Sequence, residues 1–154
     1  MNDLNLHRRT LIRALGMAGV VGILPACATL KGPPYTQVVT LEGGQEVPPV
    51  GTTATGTATV TIKPDRSVYV YVLVQGMQAT ASHIHEGAIA TNGPVIVPFT
   101  KSAKSKGEFA IFESAPDAML TESQYASYKA GKLYINVHSA QYPGGEVRGQ
   151  LQPV

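Results

Sequence analysis

Three of the chain's four histidines lie in two short segments, His83-Ile84-His85 and Asn136-Val137-His138. Neutral imidazoles are good ligands for copper and zinc, and three of them leave a coordination position open. Whether they can act together depends on what carries them. In a β-strand, residues i and i+2 point to the same face. His83 and His85 then project together, opposite Ile84, and His138 projects with Asn136, opposite Ile135 and Val137. With the aliphatic side turned to a core, all three rings lie on the outer face, and if the two strands are neighbours they converge. The plainer alternative is that the histidines hydrogen-bond loop carbonyls and pin the turn Tyr142-Pro143-Gly144-Gly145.

The sequence between these segments supplies the strands. Alternation of apolar and polar residues marks strands over residues 37–41, 55–62, 68–74, 79–85, 95–99, 107–113, 132–138 and 146–152. The run Val68-Tyr69-Val70-Tyr71-Val72-Leu73-Val74 is the clearest of them. Lys63-Pro64-Asp65-Arg66-Ser67 reads as the turn of a hairpin. Lys101–Lys106 reads as a solvated basic turn. Residues 121–129, followed by Gly131, read as one short helix. About eight short strands with regularly spaced turns predict an all-β, antiparallel Greek-key sandwich or barrel with one short helix. With no tryptophan and three phenylalanines, its core must be mainly Val, Ile, Leu and Ala.

The N-terminal residues read as a targeting segment. Arg8-Arg9-Thr10-Leu11-Ile12-Arg13 precedes an apolar stretch, Ala14 to Leu24, that is too short to span a bilayer and of the right length for a signal peptide. The paired arginines resemble a twin-arginine export signal, with general secretion as the alternative. Leu24-Pro25-Ala26-Cys27 resembles a lipobox, in which Cys27 carries lipid and becomes the new N-terminus. The expected organisation is a signal peptide at 1–26, a tether at 27–36 and one domain at 37–153, outside the cytoplasm in the periplasm or cell envelope and anchored to the membrane through Cys27. Arg8, Arg9 and Arg13 leave with the signal, as does Asp3, so the formal charge of +2 belongs to the leader and the domain is formally neutral. A neutral domain speaks against a nucleic-acid surface, which needs clustered cations. Cys27 is the only cysteine, so an internal disulfide and a cysteine-based zinc site are excluded.

Four stretches together resemble a chordin-type (CHRD) domain. They are Leu41-Glu42-Gly43-Gly44-Gln45-Glu46-Val47-Pro48-Pro49-Val50, Ala54-Thr55-Gly56-Thr57-Ala58, His83-Ile84-His85-Glu86-Gly87, and Tyr134 to Ala140 with Tyr142 to Leu151. The resemblance spans about residues 37–152. It implies an exported non-catalytic binding or structural module of the cell envelope. A weaker similarity is to copper–zinc superoxide dismutases, which share a Greek-key barrel, a His-x-His strand, a further copper histidine and an arginine near the C-terminus. That similarity implies a copper site, with zinc as the alternative, at His83, His85 and His138 and weak redox activity. Arg148 would then guide an anion. The bridging fourth histidine, the zinc loop and the disulfide of those enzymes are missing.

Three charged residues flank the histidines. Glu86 follows the first pair and could tune an imidazole, or be solvated. Glu146 and Arg148 share one strand face opposite Val147. The simplest reading of Arg148 is a salt bridge to Glu146 or hydrogen bonds to carbonyls of the Pro143–Gly145 turn. Tyr134 shares the His138 face and could stack beside that ring. No phosphate loop, Ser–His–Asp order or carboxylate dyad stands out.

Overall fold

The computed structural model describes residues 35–152. The signal, lipobox and most of the tether expected from the sequence lie outside the described residues.

Eight antiparallel strands close into a barrel: β1 (Tyr35–Glu42), β2 (Thr55–Ile62), β3 (Val68–Gln75), β4 (Ala79–Glu86), β5 (Val95–Lys101), β6 (Phe109–Ser114), β7 (Leu133–Ser139) and β8 (Val147–Gln150). Around the barrel their order is β1-β2-β3-β6-β5-β4-β7-β8, and the Glu42–Arg148 pair joins β1 to β8. The choice between sandwich and barrel is thus resolved as a closed barrel, which leaves no free sheet edge. Two Greek-key crossovers set this order. Gly76–Gln78 carries the chain from β3 to β4 past two intervening strands. The segment after β6 carries α1 (Glu122–Lys129) and returns to β7 beside β4.

Alternation builds the interior directly. Ala58, Val60 and Ile62 of β2, Val68 to Val74 at every second position of β3, and Leu133, Ile135 and Val137 of β7 all point inward and are buried. An eight-stranded barrel is just wide enough to be filled by such side chains. Thr121 caps α1 by a reciprocal capping box with Gln124, and Tyr128 turns into the core. Gly131, at φ 68°, allows the sharp turn out of the helix.

Two departures from simple alternation position the site. A bulge between Ala79 and Ala81 shifts the register of β4 against β7. Ala79 and Ile84 can then both face inward although their spacing is odd, and His83 and His85 are left outside. The second departure is β7, in which all seven residues are buried. Its inward side is core. Its outward side, Tyr134, Asn136 and His138, is covered by the loops before β2, after β4 and before β8. The rings therefore lie outside the barrel, with His85 and His138 buried and His83 partly exposed, which corrects the simplest picture of an exposed outer face.

Candidate metal centre

β4 and β7 are neighbours, and the register sets His83 opposite Asn136, His85 opposite Tyr134 and Ala81 opposite His138. Two-residue spacing on each strand brings the three imidazoles to one patch of the outer wall. One nitrogen from each of His83, His85 and His138 can be chosen so that all three lie within 4.8 Å of one another. Metal–nitrogen bonds of about 2.0–2.1 Å require ligand nitrogens about 3–4 Å apart, so the widest pair must close by about 1–2 Å through side-chain adjustment. His83 Nδ1 and His138 Nε2 are already 3.0 Å apart.

Backbone carbonyls fix two of the rings. His85 Nδ1 donates to Gly93 O at 2.9 Å, and His138 Nδ1 donates to Pro143 O at 3.0 Å. A carbonyl cannot donate, so both Nδ1 atoms carry the proton and both Nε2 atoms are lone pairs. Metal-binding histidines are held in this way, with the second ring nitrogen anchored to a carbonyl or carboxylate. The same bonds realise the plainer alternative, since His138 does pin the turn before β8. His83 is half-exposed and donates Nδ1–H to His138 Nε2; moving that proton to its Nε2 would free both facing nitrogens for a metal.

The rings are also kept neutral. Burial, helped by the neighbouring rings of His138 and His85, pushes His83 down to about 4. Burial lowers His85 as well, against the opposing effect of the Gly93 carbonyl, and lowers His138 against that of Pro143. Neutral imidazoles are the form that a metal takes.

The flanking residues are placed as follows. Arg148 makes no bond to Glu146 or to the Pro143–Gly145 turn. It is 1% exposed, and its guanidinium lies 3.5 Å from the Tyr134 ring centroid. Nη2 donates to Thr91 O at 2.9 Å and to Ala88 O at 3.3 Å, and Nη1 donates to Asn92 Oδ1 at 3.3 Å. It braces the loop after β4. Tyr134 stacks on His85 rather than His138, with centroids 4.9 Å apart and planes 10° apart. A column of His85, Tyr134 and Arg148 results. Glu146 accepts hydrogen bonds from Thr52 and Ser139, and Glu86 accepts one from Ser127 of α1. Neither touches an imidazole.

Glu46 is a buried carboxyl beside the site that sequence reasoning passed over. It follows a 3₁₀ turn at Gly43–Gln45 and folds over the site with its side chain buried. Burial raises it to about 7 in spite of Arg148 and Asn136 nearby. Gly145 makes room for it. A Cβ there would sit 2.4 Å from Glu46 Oε1 and 2.5 Å from Asn136 Nδ2, and φ is 131°. Gly93 has a similar role in the loop after β4, where a Cβ would overlap the Glu86 carbonyl. A groove lined by Thr59, Tyr69, Tyr71 and Glu113 lies on the wall formed by β2, β3 and β6, away from the histidines.

A closed antiparallel barrel with a loop-capped polar patch on one outer wall is the class of protein that these features define. The chain belongs to the CHRD domain family, which matches residues 38–151. Among curated proteins and among solved structures, nothing matches it significantly.

Proposed function

We propose that this CHRD domain is a non-catalytic binding module whose ligand is a divalent transition-metal ion held by His83, His85 and His138. The observation that carries the reading is the convergence of three neutral imidazoles with ligand nitrogens within 4.8 Å, two of them anchored through Nδ1 so that Nε2 is the lone pair left to a ligand. Copper(II) is preferred to zinc by the Irving–Williams order, and nitrogen donors suit both. Binding without turnover is supported by the flanking groups. Glu86 is committed to Ser127 and Arg148 to loop carbonyls, so neither serves as a proton shuttle or an anion guide.

Titration of the metal-free protein with copper(II), followed by calorimetry and electron paramagnetic resonance, tests this. One equivalent should bind with nitrogen hyperfine structure, and His85→Ala should weaken binding by about a hundredfold or more. A flat titration, or binding indifferent to all three histidines, would leave only a structural module.

The reading extends to place. Residues 1–26 would export the domain and a lipid on Cys27 would hold it at the membrane. Labelled palmitate should enter the wild-type protein and not Cys27→Ser, which should move to the soluble extracytoplasmic fraction. Equal labelling of both would refute the anchor.

A further inference from the structure

Three buried side-chain atoms among the described residues have no hydrogen-bond partner: Glu46 Oε1, His85 Nε2 and Asn136 Oδ1. Buried polar atoms are rarely left so. These are not scattered, because the Asn136 side chain reaches both the His85 ring and the Glu46 carboxyl.

One hydrogen bond orients the amide. Asn136 Nδ2 donates to Gly144 O at 3.3 Å. Its NH2 group therefore faces the turn before β8, on the side of Glu46, and Oδ1 faces away. His85 spends its ring proton on Gly93 O, so its Nε2 is a lone pair. Two lone pairs thus meet beside the histidine cluster with no hydrogen between them. An electron-pair acceptor there would satisfy both.

Asn136 is also central to the cluster by register. It lies directly opposite His83, two residues from His138 on the same strand face, and against His85. It is 1% exposed, with Arg148 as its partner on the other side in β8. We infer that Asn136 Oδ1 is the fourth ligand of the metal site, giving a set of three nitrogens and one oxygen. This rests on the three-histidine reading above and deepens it. An amide oxygen is a harder donor than imidazole, so the set selects copper(II) or zinc(II) over copper(I), which prefers soft ligands. The absence of a side chain at Gly145 lets Glu46 and Asn136 approach each other.

The test compares the purified full chain with Asn136→Leu and Asn136→Asp by competition titration with copper(II) and copper(I), and by electron paramagnetic resonance of the copper(II) forms. Asn136→Leu should weaken copper(II) by about 10–100-fold and leave copper(I) unchanged, narrowing the preference between them. Asn136→Asp should retain copper(II) and change its g and hyperfine values, as a charged oxygen replaces a neutral one. Wild-type affinity and spectrum in both variants would overturn the fourth ligand while leaving the histidine site intact. Loss of copper(II) binding by the wild type itself would remove the histidine reading and this one together. If Asn136→Leu fails to fold, as judged by the thermal transition of the metal-free protein, the Asn136→Asp spectrum alone decides: unchanged values overturn the inference.

Discussion

Replacing Arg148 with alanine is expected to destabilise the domain by about 3–5 kcal/mol. The guanidinium is buried, and it contributes in three ways. It satisfies the carbonyls of Ala88 and Thr91 and the side chains of Asn92 and Gln150. It covers the face of Tyr134 at 3.5 Å, where a desolvated cation–π contact adds about 2 kcal/mol. It is also the cation nearest the buried Glu46 carboxyl. Truncation removes the side-chain donor of Thr91 O, while Ala88 O keeps the Thr91 amide and hydroxyl, and a buried acceptor left without its donor costs more than the bond itself gained. Arg148→Lys should recover only part of the loss, because an ammonium cannot serve four acceptors in a plane while stacking on a ring. The loop after β4 should loosen as well. Gly93 presents its carbonyl to His85 from that loop, so metal affinity should fall together with stability. Urea denaturation of the metal-free variant measures the first effect and amide exchange over residues 87–94 the second. A loss below about 1 kcal/mol would show that the buried cation is no brace.

The location of that brace shows what local sequence can and cannot reveal. Alternation is a property of neighbouring residues, so the strands, the hairpin at Lys63–Ser67 and the helix capped by Thr121 were legible. The pairing of His83 with His85 on one face was legible for the same reason. Convergence with His138 required β4 and β7 to be neighbours, a consequence of Greek-key order and of the bulge at Ala79/Ala81, neither of which leaves a local pattern. Alternation also says which residues avoid the core without saying whether water reaches them. Asn136, His138 and Arg148 look like surface positions by period, yet loops from distant parts of the chain bury them. Glu46 comes from about 40 residues before the first histidine pair, and nothing in its own neighbourhood marks it as a partner of Asn136. The glycines offered the available hint. Gly145 and Gly93 stand where another backbone or side chain comes too close for a Cβ, but sequence alone cannot say what comes close.

The metal-free domain should lose stability as the pH falls from 7 to 5. Burial holds His83 near 4 in the folded state, against 6.5 when unfolded, and lowers His85 and His138 in the same direction. For each, the unfolded chain takes up a proton that the folded protein refuses. Their full support is therefore present above about pH 6.5 and is lost as the pH drops towards the folded values. Glu46 acts oppositely. Its folded value of about 7 lies above the unfolded 4.5, so its proton favours folding at low pH and that support disappears as the pH rises through 7. Between these limits three histidines oppose one carboxyl, and the histidines prevail. Solvent screening at the half-exposed His83 reduces the net slope to about 1 kcal/mol per pH unit. Glu46→Gln separates the contributions. With the carboxyl gone, stability at pH 8 should rise, since no charge is buried, and the decline below pH 6.5 should steepen. Denaturant midpoints of the two proteins at pH 5, 6.5 and 8 provide the comparison. A Glu46→Gln midpoint that is flat or climbs from pH 7 to 5 would mean that the imidazoles are charged when folded, and three positive rings in one patch could not make the neutral ligand set on which metal binding depends.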